Sequence, residues 1–144
     1  MSPLSGEPVV ISGTSSDSHT WNLVYLQLLV REIGHPVLNL GPCVPDDLLV
    51  AECARARPRL VVISTVNGHG FTDAVRVAPR LRARPELAGT PLVIGGKLGI
   101  HGDDGTAAAR RDQLLAAGFD RVYAETELAA FADDLAQLRA RVAS

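Results

Sequence analysis

The chain has 144 residues and a mass of 15.2 kDa, which is the size of one compact domain. Apolar residues make up 47% and charged residues 21%, ordinary values for a globular protein that exclude the disordered and fibrous classes. The formal charge is −2, and the 14 basic residues are spread along predicted helices rather than gathered in a patch. We therefore expect no binding to nucleic acid.

The sequence shows no membrane or secretory signal. It contains no apolar run long enough to cross a bilayer, and its N-terminus lacks a basic segment followed by an apolar stretch. The expected location is therefore the cytoplasm, with no membrane contact. Cys43 and Cys53 lack the C-x-x-C spacing of a zinc motif and form no disulfide framework, so we interpret both as ordinary small residues.

Five segments rich in β-branched or aliphatic residues predict strands. They lie at 9–12, 36–40, 60–64, 91–95 and, more weakly, 121–124. Their apolar runs are continuous rather than alternating, which is typical of strands covered on both faces in a parallel sheet.

Segments of helical period alternate with these strands. A first helix is predicted to end at Gly34, and a second begins at Pro45 with two acidic residues in its first turn. A third, at 71–81, contains Pro79, which is expected to kink or end it. Two further helices are predicted over 106–117 and 127–142.

The alternation predicts a single doubly wound α/β domain over residues 1–144, with residues 1–7 as a loose tail. We expect a Rossmann-like or flavodoxin-like fold with a five-stranded parallel sheet in the order 2-1-3-4-5. Ligands of such sheets bind beyond the carboxyl ends of the strands, where the strand order reverses. The loops there, after strands 1, 3 and 4, read G-T-S-S-D-S-H-T-W-N, S-T-V-N-G-H-G and G-G-K-L-G-I-H-G. Their glycines and hydroxyls allow a ligand to approach the backbone closely.

Three familiar sites of this fold class are excluded. G-G-K-L lacks the upstream glycine of a phosphate loop, and Leu98 stands where the magnesium-binding hydroxyl would be. The glycines after strand 4 do not have G-x-G-x-x-G spacing, which argues against a dinucleotide site. Strand 3 ends in Ser64 rather than in the aspartate that a phosphorelay receiver would phosphorylate.

Taken together, the three loops resemble a known family. The pattern D-x-H after strand 1, S-x-(aliphatic) after strand 3 and G-G after strand 4 resembles the cobalamin-binding domain of adenosylcobalamin-dependent mutases and methionine synthase. Within that family the chain is similar to the small subunit of glutamate mutase, also called methylaspartate mutase. The similarity covers nearly the whole chain.

The resemblance implies a ligand for cobalt. In that family the dimethylbenzimidazole tail of the cofactor leaves the metal, and the motif histidine, here His19, takes the vacated lower position. Imidazole suits cobalt as a nitrogen donor of intermediate softness. The matching carboxylate, Asp17, would accept the hydrogen of the other ring nitrogen and so fix the tautomer and raise the basicity of the ligand.

The resemblance also implies where the displaced tail lies. Ser64 and Val66 match the segment beside the tail, with Ser64 able to bond a benzimidazole nitrogen, and Gly95 and Gly96 match the glycine pair that leaves room for it. The expected cofactor-binding residues are Ser16, Asp17, Ser18, His19, Thr20, Ser64, Thr65, Val66, Gly68, Gly95, Gly96, Lys97, Leu98 and Gly99, with His19 as the metal ligand. No catalytic residue is expected in this chain.

Two residues of this loop are unusual for the family, whose pattern is usually D-x-H-x-x-G. The final glycine is replaced by Asn22, which tolerates a left-handed backbone but adds volume, so the loop is expected to close differently. Trp21 is large for such a loop. Two interpretations stay open for it: packing on the first helix, or contact with the corrin ring.

The implied function is the cobalamin-carrying subunit of an adenosylcobalamin-dependent carbon-skeleton mutase, resembling the one that interconverts glutamate and 3-methylaspartate. The cofactor would supply radical chemistry by homolysis of its cobalt–carbon bond. Since one layered domain uses the whole length, the substrate pocket is expected on a separate, larger partner. The resemblance implies that this partner is an (α/β) barrel subunit, without which this chain is expected to be inactive. Two alternatives are a corrinoid carrier or sensor without mutase activity, and a flavodoxin-like module in which D-S-H is accidental.

Overall fold

Strands and helices alternate along the whole described chain. The computed structural model describes residues 7–66, 70–98 and 105–143, and residues 1–6 of the predicted tail lie outside this part. The strands are β1 (Val9–Ser12), β2 (Val37–Gly41), β3 (Leu60–Thr65), β4 (Leu92–Gly96) and β5 (Arg121–Ala124). The helices are α1 (Trp21–Ile33), α2 (Asp46–Ala56), α3 (Gly70–Arg82), α4 (Gly105–Ala117) and α5 (Leu128–Ala143), with a short 3-10 turn at Pro85–Leu87. No helix within these described ranges has the length and apolar character needed to span a bilayer.

The five strands form one parallel sheet in the order β2-β1-β3-β4-β5, which confirms the predicted flavodoxin-like topology. The order reverses between β1 and β3, which are direct neighbours with Ser12 opposite Ile63. On the other side of β3, Thr65 is opposite Gly96 at the end of β4. The loops that follow β1, β3 and β4 therefore leave the same edge of the sheet.

Each face of the sheet is covered by helices. Successive residues of a strand point to opposite faces, so Val10 contributes to the core with α2, α3 and α4, whereas Val9 and Ile11 contribute to the core with α1 and α5. All four residues of β1 and all six of β3 are buried. Burial of both faces explains why the strands are continuously apolar, and each fully buried aliphatic side chain contributes about 1.5–3 kcal/mol.

The helix boundaries follow local signals except at one proline. Gly34 ends α1 with a left-handed φ of 111°, as predicted. Helix α3 runs past Pro79 to Arg82, close to the predicted 71–81, so of the two expected effects of Pro79 an end of the helix does not occur. The N–H of Ala83 still bonds the Pro79 carbonyl at 3.0 Å, and the buried Leu81 holds this last turn against the core. Tertiary packing thus outweighs the proline's cost to the helix.

Candidate functional site

The loop between β1 and α1 places a buried carboxylate against an exposed imidazole. The Asp17 side chain is 2% exposed and that of His19 is 58% exposed. His19 Nδ1 lies 2.7 Å from Asp17 Oδ1, and the His19 backbone N–H donates to the same oxygen at 3.0 Å. Because an ionised carboxylate only accepts, Nδ1 carries the ring hydrogen and Nε2 keeps a free lone pair. The ring is therefore prepared to act as a ligand through Nε2.

The second oxygen of Asp17 ties this loop to β3. Asp17 Oδ2 accepts hydrogen bonds from the Thr65 hydroxyl at 2.8 Å and from the Val66 N–H at 2.7 Å. Burial alone would raise the pKa of Asp17, but the backbone N–H groups of His19 and Val66 and the side chains of His19 and Thr65 bring it down to about 2. Asp17 is therefore ionised at neutral pH and fixed between two segments that are distant in sequence.

A second buried carboxylate, Asp73, anchors the same loop to α3. Its Oδ2 accepts from the Ser16 N–H at 3.1 Å and from the Ser16 hydroxyl, and its Oδ1 accepts from Arg76 at 3.2 Å. Burial tends to raise the pKa of Asp73, but these hydrogen bonds outweigh it and the pKa is lowered. Arg76 also donates to Ser15 at 2.9 Å and to Asp46 at 2.6 and 3.0 Å. The loop is thus held by α2 and α3 together.

Sequence reasoning missed the contribution of Asp73 and Arg76. The signal that was available is an acidic residue in the first turn of the helix after strand 3, followed three residues later by an arginine. That pattern is common on solvated helices, so it does not by itself point to a loop 57 residues away in the chain.

A cavity of about 200 Å³ lies between the sheet and the pair of helices α1 and α5. Its walls are mostly apolar or aromatic, and glycine occupies part of the β4 side. Asn22 from α1 reaches into its lining and donates from Nδ2 to the Ser64 hydroxyl at 2.8 Å. The lining residues are Asn22, Tyr25, Leu26, Val62, Ile63, Ser64, Val66, Val93, Gly95, Gly96, Tyr123, Ala124, Glu125, Leu128 and Phe131.

The two glycines at the end of β4 differ in whether the fold has room for a side chain at their position. Gly96 has a φ of +117°, and a Cβ there would lie 2.0 Å from the Thr65 carbonyl oxygen, so the fold itself requires glycine. A Cβ on Gly95 would meet Tyr123 at 3.5 Å, an ordinary contact. The fold therefore tolerates a side chain at Gly95, and its absence leaves open space in the cavity.

The structure brings most of the predicted site residues to this edge of the sheet. Asp17, His19 and Thr65 form one hydrogen-bonded cluster, and Val66 joins it to the cavity because its N–H bonds Asp17 and it also lines the cavity. The predicted residues that line the cavity are Ser64, Val66, Gly95 and Gly96.

The remaining predicted residues take other positions. Ser18 and Thr20 are exposed in the His19 loop, and Lys97 is exposed beyond β4 with its N–H bonded to the Thr65 carbonyl at 2.9 Å. Leu98 does not join the cavity, because its side chain is 1% exposed within the core formed with α2, α3 and α4. Gly68 and Gly99 lie outside the described residues.

The two residues that are unusual for the family lie at the start of α1. Asn22 is the second residue of the helix, so its tolerance of a left-handed backbone is not used. Among the described non-glycine residues only Cys43 and Arg57 have a positive φ. Trp21 is 84% exposed, so it does not pack against α1 as one interpretation proposed. Its ring is open to a ligand or to another protein.

The donor set fits a metal held in a macrocycle. Within residues 7–66, 70–98 and 105–143 no group of three or more histidine, cysteine or acidic side chains is placed to hold a metal ion. The cobalt corrinoid implied by the sequence resemblance would need one nitrogen donor from the protein, and the exposed His19 imidazole could supply it. Beside it, the glycine-lined cavity provides room for a flat, largely apolar substituent of the corrinoid.

Comparisons with known proteins agree with this chemistry. Residues 8–132 match the family described as B12 binding domain. The chain is 31% identical over 129 residues to the glutamate mutase sigma subunit of Halobacterium salinarum, covering 88% of this chain and 84% of that one.

Solved structures show the same fold. The monomethylamine corrinoid protein of Methanosarcina barkeri aligns with a TM-score of 0.66 at 17% identity, over 95% of this chain and 58% of that one. A chain of the methanol:cobalamin methyltransferase complex MtaBC from the same organism aligns with a TM-score of 0.63 at 22% identity, over 95% of this chain and 46% of that one. This chain thus spans about half the length of these two structures. From the family match and the identity to the sigma subunit, the chain belongs to the B12-binding domain family.

Proposed function

We propose that this chain is the cobalamin-binding subunit of an adenosylcobalamin-dependent carbon-skeleton mutase of the glutamate mutase type, and that His19 is its lower cobalt ligand. The observation that carries the proposal is the exposed His19 ring, held at Nδ1 by Asp17 at 2.7 Å so that its lone pair is on Nε2, on the loop next to a cavity partly lined by glycine. The sequence identity to a glutamate mutase sigma subunit supports the mutase assignment.

In this proposal each part of the site has one task. Asp17 holds the His19 ring in the tautomer that ligates through Nε2 and raises its basicity. The cavity between the sheet, α1 and α5 takes the nucleotide tail in its detached form, with Ser64 donating to a ring nitrogen of the base. The Gly95 position leaves the base room. Bound adenosylcobalamin would supply radical chemistry from its cobalt–carbon bond, and the protein supplies binding and orientation.

The proposal includes a partner that holds the substrate. We infer a larger (α/β) barrel subunit that covers the upper face of the corrin, as the resemblance to the glutamate mutase family implies. The residues described at this site have roles in ligation and tail binding. The name of the relative, a sigma subunit, is in keeping with a multi-subunit enzyme. The exposed Trp21 lies two residues after His19 and is available to contact the corrin or that partner.

Optical titration with adenosylcobalamin tests the ligand assignment. The wild-type chain is expected to give the spectrum of a cofactor whose own base is off and whose lower ligand is an imidazole. His19→Gly is expected to lose that spectrum and to regain it with added imidazole, whereas Thr72→Ala, on the exposed surface of α3, should behave as wild type. A spectrum unchanged by His19→Gly would refute the assignment.

A second candidate is a corrinoid carrier or sensor without mutase activity, favoured by the residues Trp21 and Asn22, which are unusual for the family. Turnover separates the two. The chain is combined with a candidate barrel subunit, and formation of 3-methylaspartate from glutamate is measured with adenosylcobalamin. Absence of isomerisation with several candidate subunits would favour the carrier.

A further inference from the structure

The nitrogen and the oxygen of the Asn22 side-chain amide differ in their hydrogen bonding. Nδ2 donates to the Ser64 hydroxyl at 2.8 Å, whereas Oδ1 is buried and has no hydrogen-bond partner among the described residues. Both residues line the cavity between the sheet, α1 and α5. Buried polar atoms in native proteins are nearly always paired, so an orphaned amide oxygen here points to a donor that arrives with a ligand.

In this contact the Ser64 hydroxyl is the acceptor, so it can still donate a hydrogen bond of its own. Its oxygen accepts from Asn22, so its own O–H stays available to a ligand atom. Tyr25 and Glu125 also line the cavity, and beside them the buried Ser64 hydroxyl offers a donor on the β3 side and Asn22 Oδ1 an acceptor on the α1 side. A ligand that satisfies both needs an acceptor atom and an N–H or O–H group on one edge.

The rest of the lining is suited to any aromatic base. Tyr123 and Phe131 pack edge to face with ring centroids 5.3 Å apart, and Leu26 and Val93 complete an apolar surface. Such a surface favours flat rings through burial and dispersion without distinguishing one heterocycle from another. Tyr25 and Glu125 are exposed to solvent, so discrimination between bases is assigned to the buried pair of the Ser64 hydroxyl and Asn22 Oδ1.

Building on the proposed function, we propose that Asn22 selects the base of the nucleotide tail. It favours a cobamide whose base carries an N–H donor beside a ring nitrogen, as adenine does, over cobalamin. Dimethylbenzimidazole offers a ring nitrogen to Ser64 but no N–H group, so it would bury Asn22 Oδ1 without a partner. A glycine at this position, as in the family pattern, would make no such distinction.

Binding constants for three corrinoids test this inference: adeninylcobamide, cobalamin, and cobinamide, which lacks the nucleotide tail. Wild type is expected to bind adeninylcobamide about tenfold more tightly than cobalamin, the effect of satisfying one buried acceptor. Asn22→Gln keeps an amide with both the donor for Ser64 and the acceptor oxygen, and should keep the preference. Asn22→Leu has similar volume and no acceptor, and should lose it. Cobinamide, with no base, should bind all three proteins equally.

The outcomes separate this inference from the proposed function. Equal affinities for the two cobamides in wild type, tighter binding of cobalamin, or a preference that survives Asn22→Leu would overturn the role of Asn22 while leaving cobamide binding intact. Failure of all three corrinoids to bind would instead refute the proposed function. If circular dichroism shows that Asn22→Leu is unfolded, Asn22→Gly takes its place and is likewise expected to lose the preference.

Discussion

Replacing Asp17 with asparagine removes the charge that organises His19. In wild type, Asp17 Oδ1 accepts from the N–H and Nδ1 of His19, and Oδ2 accepts from Thr65 and Val66 at 2.8 and 2.7 Å. An asparagine has one acceptor oxygen, so its NH₂ group must face one of these two pairs of donors. If the NH₂ faces His19, the ring hydrogen moves to Nε2 and the nitrogen assigned to cobalt loses its lone pair.

Two contributions set the size of the effect on stability. Lowering the pKa of Asp17 from 3.8 to about 2 corresponds to about 2 kcal/mol, since one pKa unit is worth about 1.4 kcal/mol. Leaving buried donors unpaired costs about 1–3 kcal/mol each. With one donor left unpaired, we therefore expect Asp17→Asn to lower the free energy of unfolding by about 3–5 kcal/mol. Cofactor affinity should fall about 10–100-fold, as for other residues that orient a metal-bound histidine.

Urea denaturation and optical titration measure these two quantities. Thr65→Val is the matched control, because it removes a single donor and leaves the carboxylate charged; it should cost about 1 kcal/mol. The folded-state pKa of Asp17 lies below its ordinary value, so its stabilisation is full above about pH 4 and is lost as the pH falls through 3.8 toward 2. Asp17→Asn should lack this part of the acid sensitivity. An Asp17→Asn protein with wild-type stability and affinity would refute the reasoning.

Further substitutions test the supports of the site. Asp73→Ala removes the carboxylate that holds the His19 loop to α3, and cofactor affinity measured by titration should fall about 3–10-fold, the effect of losing one hydrogen bond. Unchanged affinity would show that Asp73 does not support the site. Gly96→Ala should destabilise the protein by more than about 2 kcal/mol in urea, because its Cβ meets the Thr65 carbonyl at 2.0 Å, whereas Gly95→Ala should fold normally and lose cofactor affinity by filling the cavity. The reverse ranking of these two variants would contradict the assignment of the glycine pair. Burial lowers the pKa of His35, so the unfolded state takes up the proton first and stability should fall as the pH drops below about 6.5; His35→Gln, measured from pH 8 to pH 5, should flatten that slope.

The strands could be predicted because the signal for each strand lies within its own residues. Both faces of β1 and β3 are covered, so each of these strands is a continuous apolar run that the sequence displays directly. The predicted bounds of β2 and β4 differ from the observed ones by one residue at each end. Helix α3 was harder, because local chemistry at Pro79 argues for an end while the burial of Leu81 against the core keeps the helix going.

Only the contacts of the site that lie within a short sequence motif could be predicted. The pairing of Asp17 with His19 lies within three residues and follows from spacing and resemblance. The donors from Thr65 and Val66 come from 48 and 49 residues away and depend on β1 and β3 being neighbours in a given register. Leu98 was also predicted to belong to the cofactor site. In the structure its side chain lies in the core, and this orientation cannot be read from the sequence.

The central claim concerns which nitrogen lies beneath the metal, and electron paramagnetic resonance reports it directly. The chain is produced with ¹⁵N-labelled histidine and loaded with the cobalt(II) form of cobalamin, whose unpaired electron couples to its lower ligand. Coordination by His19 predicts that the nitrogen splitting changes from a triplet to a doublet on labelling, and that His19→Gly abolishes the change. A splitting that stays a triplet in the labelled protein would show that the cofactor's own base remains on cobalt and would contradict the account.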